Sequence, residues 1–171
     1  MSSVQLHLAL THVPVILALL GFLMLTVNFF LKNDTLTKTA YVLLVAAGIA
    51  AIPVFLTGEG AEEAVENLPG VSENVIENHE DLAKLSMMAI AIAGAAALAA
   101  LLAFNASFVN RYLKYGVFVL SMIAGGLMAQ TAHLGGQIRH TEIRTATMPY
   151  NGNNNEQLQQ DTNKEQQQDE D

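Results

Sequence analysis

Residues 13–31, VPVILALLGFLMLTVNFFL, contain no Asp, Glu, Lys, Arg or His. Three further stretches share this property, and they cover residues 40–56, 85–104 and 116–132. A helix needs roughly 20 residues to cross the hydrocarbon of a bilayer, with about 17 as the lower limit. Four such stretches in one short chain are rare among soluble proteins. The sequence therefore predicts an all-α integral membrane four-helix bundle, with spans near residues 11–32, 37–58, 83–105 and 112–136.

The composition agrees with a membrane protein and narrows the chemistry. Of the 171 residues, 51% are hydrophobic and 14% are charged, whereas soluble domains usually carry about a quarter charged residues. A soluble bundle of very apolar helices is the alternative. The first stretch follows no Lys or Arg and precedes no small-x-small cleavage site, so we expect a retained span rather than a signal peptide. The chain has no Cys, which excludes disulfides, thioether-linked haem and thiolate metal sites.

The hydrophilic segments divide the chain into a bundle at residues 1–145 and a tail at 146–171. The tail is rich in Asn, Gln and acids, and its six acids and one lysine account for five of the eight net negative charges. Such a composition buries too little apolar surface to fold, so we expect disorder. Residues 59–81 contain eight acids and no Lys or Arg. Within them, EGAEEAVENL (residues 59–68) predicts a short amphipathic helix at the membrane interface.

All five histidines fall at one end of the predicted bundle, because successive spans alternate in direction. Imidazole at this depth is costly without a partner such as a metal, haem iron or a carboxylate. Counting 1.5 Å of rise per residue, the numbering places two histidines deeper, two shallower, and the remaining one shallow or intermediate. The deeper pair is His12 and His133, the shallower pair is His7 and His140, and the fifth is His79.

Residues beside the histidines indicate how a cofactor would be held. Gly135 and Gly136 follow His133 closely, and they fit either a flat macrocycle between helices or plain helix packing. Two interpretations fit Arg139: its side chain pairs with a haem propionate, or it extends to the membrane surface without a cofactor. Hydrogen-bond partners for the imidazoles are expected among Thr11, Gln130, Thr131, Glu80 and Asp81. At the far end of the first span, Asn28 predicts a hydrogen bond between helices.

The opening His7–Leu8, followed by His12, Val13 and Pro14, resembles a widespread bacterial family of four-helix membrane proteins of unknown function. That family opens with H-P-x-x-V-H-F-P, so Leu8 and Val13 depart from it. Thr57–Gly58, His79 and the ending HLGGQIRH are similar to its later motifs, in the same order. The resemblance covers about residues 7–140. It implies a haem-carrying membrane module that works in electron transfer with a separate redox partner protein.

The sequence thus predicts a b-type haem protein with one haem, or two, and with His12 and His133 as the leading iron ligands. His7, His79 and His140 are the other candidate ligands. Two alternatives stay open: a non-haem metal or proton site in a transporter-like subunit, and a structural subunit without a cofactor. The chain shows no nucleophile–base pair, phosphate loop or nucleic-acid patch, so an electron carrier or subunit is favoured over a stand-alone enzyme.

The orientation follows from the basic residues. The two short loops away from the histidines carry four Lys and Arg residues, and the histidine side carries three near the spans. Because basic residues favour the cytoplasm, we expect a bacterial inner-membrane protein with its histidines and both termini outside.

Overall fold

The computed structural model of the chain describes residues 3–66, 71, 73–105 and 107–139. It contains four α-helices, which are α1 Ser3–Leu31, α2 Asp34–Glu66, α3 Glu73–Leu102 and α4 Ser107–Arg139. The described residues contain no strand, and each helix is long and apolar enough to cross a membrane. The all-α prediction is confirmed, and the chain has the helices of a multi-pass membrane protein. The predicted tail and His140 lie outside the described residues.

The helices are longer than a bilayer requires. They contain 29 to 33 residues, so each is about 45–50 Å long at 1.5 Å per residue, against about 30 Å of hydrocarbon. Much of the excess lies where α1 and α3 begin and where α2 and α4 end, which we call the histidine end. The helical spacing predicted within 59–68 is confirmed for residues 59–66, but these residues continue α2 without a break to Glu66 and do not form a separate short helix. The start of α1 packs there, and a Cβ on Gly60 would lie 2.9 Å from Ser3 Cβ.

Each helix packs against the helices that precede and follow it in the chain, and α4 also packs against α1. The contact between α1 and α4 is the least extensive of the four. Small residues bring α2 and α3 close together, since a Cβ on Gly94 would lie only 3.2 Å from the Leu44 carbonyl oxygen. Ala93, Ala97 and Ala100 of α3 are fully buried. The small residues of the third span therefore serve helix packing.

At the opposite end, which we call the turn end, α1 and α2 are joined by two residues and by buried hydrogen bonds. Asn28 is fully buried, and its Nδ2 donates to Thr37 Oγ1 at 2.5 Å. The backbone N–H of Asn33 donates to Asn28 Oδ1 at 2.6 Å. Lys32, the first residue after α1, lies in the left-handed region with φ of 51°, which turns the chain into α2. The predicted interhelical hydrogen bond of Asn28 is confirmed.

Candidate functional site

The histidine of α1 that faces another helix is His7. Its side chain is half-buried, and its Nδ1 lies 3.0 Å from the Val54 carbonyl oxygen and 3.3 Å from Thr57 Oγ1, both on α2. A carbonyl oxygen only accepts, so Nδ1 carries the proton and donates it. Gly58 lies beside the ring, where a Cβ would be at an ordinary 3.7 Å from His7 Cε1. The α1–α2 contact thus fixes both the orientation and the tautomer of His7.

His79 of α3 is held in the same way by α4. It is half-buried, and its Nδ1 donates to the Thr131 carbonyl oxygen at 3.0 Å. The Thr131 hydroxyl donates to the Leu127 carbonyl oxygen at 2.9 Å, and it lies 2.7 Å from Ser86 Oγ of α3. Because the Thr131 proton is already in use, Ser86 is the donor in that contact. This pair of hydroxyls ties α3 to α4 one to two turns deeper than His79.

A glycine gives His79 its space. A Cβ on Gly135 would lie 3.1 Å from His79 Cε1, closer than most Cβ contacts in proteins. By contrast, a Cβ on Gly136, Gly125 or Gly126 would meet nothing within 4 Å. Of the two glycines that the sequence connected with His133, Gly135 therefore serves His79, and Gly136 lies in open space.

His7 and His79, which each bond to a neighbouring helix, belong to α1 and α3, two helices on opposite corners of the four-helix arrangement. α1 and α3 each pack against α2 and α4 and hardly touch one another, so they lie on a diagonal. With Nδ1 protonated in both rings, Nε2 is the nitrogen that keeps a lone pair in the neutral form. Among the described residues, no hydrogen bond to either Nε2 is present.

His12 and His133 differ from this pair, and their expected burial is wrong. Both side chains are exposed. His12 Nδ1 turns back to the Leu8 carbonyl oxygen of its own helix at 3.3 Å, and His133 Nε2 lies 3.0 Å from Gln137 Nε2 of its own helix. For His12, the physical reason is its angle from His7 around the axis of α1. Five residues turn a helix by about 140°, so a helix that directs His7 inward directs His12 outward.

The other predicted site residues take varied positions. Gln130 is exposed and one turn from His133. The Glu80 and Asp81 carboxylates lie 2.9 and 3.9 Å from Lys84 Nζ, so their ion pairs are with this lysine. Arg139 ends α4, and its side chain, like the whole of His140, lies outside the described residues.

The sequence carried a partial signal for His79 and none that singled out His7. His79 shares its helix face with residues three before, seven after and eleven after it. These are Ile76, Ser86 and Ile90, all buried. For His7, Thr57 and Gly58 at the end of the second span form the surface it packs on, a pairing that is visible only in the structure. Among the described residues, no group of three or more His, Cys, Asp or Glu side chains is arranged to hold one metal ion.

No protein-family model matches the chain. No curated protein matches it in sequence. No solved structure matches it. The resemblance of the opening motif to a known family therefore stays a prediction. The geometry of the histidine end is what indicates a function.

Proposed function

We propose that this protein is a membrane-embedded four-helix bundle that binds haem b at its histidine end and transfers electrons at one face of the membrane. In this proposal His7 and His79 would hold the haem iron, in place of the pair His12 and His133 expected from the sequence. The proposal rests on one arrangement: two half-buried imidazoles on diagonal helices, each fixed by a backbone carbonyl at Nδ1.

That arrangement suits a haem better than a bare metal ion. Ligating imidazoles usually donate their second N–H to a carbonyl or carboxylate, which fixes the ring and raises its basicity. Val54 and Thr131 supply such carbonyls. A porphyrin brings four nitrogens to its iron, so two imidazoles complete the coordination. A tetrahedral zinc site needs three or four protein ligands.

The residues around the ligands have defined parts in this proposal. Haem supplies a one-electron Fe(III)/Fe(II) couple, and ligation by two histidines leaves no open position for substrate. Gly135 leaves room for the His79 ring. Thr57 adds a second acceptor for the His7 N–H. The chain contains no histidine in the turn-end half of any helix, so electrons would enter and leave at the histidine end, through a separate redox partner protein.

We further propose that the protein lies in a bacterial inner membrane with the histidine end outside. Four basic residues flank the spans on the turn-end side against three on the other, and basic residues favour the cytoplasm.

A visible spectrum of the full-length protein, purified in detergent from haem-replete cells, tests the function. We expect a Soret band and split visible bands on reduction, typical of low-spin haem. His7→Ala and His79→Ala should each abolish the low-spin signal. His12→Ala and His133→Ala are matched controls, because they remove the same side chain from exposed positions, and they should leave the spectrum unchanged.

The opposite pattern would restore the ligand pair expected from the sequence. A colourless protein with a bound transition metal would favour the non-haem alternative, and a colourless protein without metal would favour a structural subunit. Either result would contradict the haem proposal.

A further inference from the structure

One polar side chain within the four charge-free stretches faces away from the other helices. These stretches contain seven polar side chains, and six of them are buried or half-buried, namely Thr26, Asn28, Tyr41, Ser86, Ser121 and Thr131. The seventh is Gln130 of α4, whose side chain is exposed. Its amide makes no hydrogen bond with any described residue.

Gln130 lies at the depth of the apolar stretches. The neighbouring Thr131 Oγ1 is 2.7 Å from Ser86 Oγ, and Ser86 is the second residue of the apolar stretch 85–104. Gln130 is one residue further from the histidine end than Thr131. Lipid tails form no hydrogen bonds, and an amide without a partner in hydrocarbon is costly. The amide therefore needs a partner that the chain itself does not supply.

The helix that carries Gln130 is also the one that the rest of the chain covers least. Among the four spans, α4 is the least apolar and has the smallest buried share. Its contact with α1 is the least extensive between neighbouring helices. In membranes, small and polar residues are enriched where helices pack together. A span that is both the least apolar and the most exposed therefore fits contact with another helix better than contact with lipid.

The exposed side of α4 is centred on Gly126. Five further exposed residues lie within about 40° of it around the helix axis, at about 100° per residue. Together with Gly126 they form what we call the Gly126 face: Tyr115, Val119, Met122, Gln130 and His133. A Cβ on Gly126 would meet nothing within 4 Å. Because glycine lets two helices approach closely, Gln130, one turn away on the same side, can reach a partner helix there.

We propose that the Gly126 face binds the same face of a second copy of this chain, which gives a parallel two-fold dimer in the membrane. Two-fold symmetry places identical residues opposite each other where the two α4 helices cross. A carboxamide is self-complementary, since Nε2 donates and Oε1 accepts. Two Gln130 side chains can therefore satisfy each other. Residues 115–138 contain no Asp, Glu, Lys or Arg, so no like charges approach. The inference goes beyond the proposed haem function and does not depend on it.

Cross-linking in native membranes tests which face is covered. The chain has no Cys, so single cysteines can be introduced into the full-length protein without background. Val119→Cys lies on the Gly126 face, and Leu98→Cys of α3 is its matched control. Val119 and Leu98 are each twelve residues deeper than the contact between Thr131 and Ser86, and their exposed fractions are 47% and 44%.

A short thiol-reactive cross-linker should convert Val119→Cys to a covalent dimer and leave Leu98→Cys monomeric. Equal cross-linking of the two variants would overturn the proposal. A cross-link from Val119→Cys to a different protein would also overturn it, because the face would then have another occupant.

Gly126→Leu tests the close approach of the helices. Purified protein in liposomes is labelled with fluorescent donor or acceptor, and the energy transfer is followed as lipid is added. The variant should weaken the dimer by at least about tenfold, as overpacking at a helix contact does. Gly116→Leu is the matched control, because a Cβ there also meets nothing within 4 Å but lies about 80° from Gly126 around α4. Its dimer should be unchanged.

Gln130→Leu tests the hydrogen bonds between the copies. Loss of both amide contacts should weaken the dimer by about tenfold, whereas Gln130→Asn keeps a self-complementary amide and should retain most of the affinity. In dilute mixed micelles, where the copies are separate, all these variants should unfold as the wild type does. A wild-type protein that is monomeric at every lipid-to-protein ratio would overturn the proposal. So would a dimer that neither Gly126→Leu nor Gln130→Leu weakens.

Discussion

The two ends of the helix assembly use their polar side chains in opposite ways. At the turn end, the Asn28 side chain donates to Thr37 and accepts from the Asn33 N–H. Lys38 Nζ lies 4.4 Å from the centre of the Phe104 ring. At the histidine end, His7 and His79 each use one ring nitrogen for a neighbouring helix. The other nitrogen has no hydrogen-bond partner among the described residues.

This difference separates a structural joint from a site. A buried polar group whose hydrogen bonds are all made within the protein stabilises the fold and has no donor or acceptor left for a ligand. An imidazole fixed at Nδ1 with Nε2 available is already oriented for a ligand, so little entropy is lost on binding. The Tyr41 hydroxyl near the turn end is the exception there, because it is buried without a hydrogen-bond partner in the described part of the chain.

Removing Asn28 should have the largest effect on stability. Asn28→Ala leaves the Asn33 N–H without its partner and removes one hydrogen bond of the Thr37 hydroxyl, which still donates to the Asn33 carbonyl oxygen. We expect unfolding in mixed micelles to be easier by about 1–3 kcal/mol, the penalty for unsatisfied buried groups. Gln130→Ala removes an exposed amide and is the control, with an expected change below about 0.5 kcal/mol. Equal losses in the two variants would mean that the turn end is not the joint described here.

At the histidine end, Gly135→Ala should impair ligand binding more than stability. The new methyl group would lie 3.1 Å from His79 Cε1, so the ring must move by a few tenths of an ångström from the position that its hydrogen bond to the Thr131 carbonyl fixes. We expect haem affinity to fall about tenfold, a cost of about 1.4 kcal/mol and within the usual range for overpacking. Titration of haem-depleted protein, followed at the Soret band, measures it.

Gly136→Ala is the matched control for this contact, since a Cβ there meets nothing within 4 Å. Haem affinity should not change, and stability should rise by up to about 1 kcal/mol because Ala favours helix over Gly. A similar loss of affinity in both variants would show that the contact with His79 is not the cause.

The last prediction concerns membrane orientation, and its test substitutes no residue of the helices and leaves their stability unchanged. Reporter fusions after Asp34 and after Asn110 should give cytoplasmic signals, and a fusion at Asn67 should give an external one. These positions follow from the excess of basic residues beside the turn end. The reverse pattern would place the histidine end in the cytoplasm and leave the helix packing unaffected.

The sequence predicted the helices well because their cause is local. A charge-free stretch of membrane length specifies a helix by its own composition, and buried Asn28 was recognisable as a polar residue inside such a stretch. The second span was predicted to end near residue 58, whereas α2 continues to Glu66 with the start of α1 packed beside Gly60. That contact joins residues far apart in the chain.

For the site, the sequence by itself predicted that the five histidines lie at one end of four helices, which the structure describes for all but His140, and that His7 and His12 point about 140° apart. The repeat of an α-helix fixes such relative directions within one helix. It does not fix how each helix is rotated about its own axis. Only the tertiary structure decided that, by packing α1 on Val54 and Thr57 of α2 and α3 on Thr131 and Gly135 of α4. The rotation of the packed helices therefore brought His7 and His79 inward and left His12 and His133 on the surface.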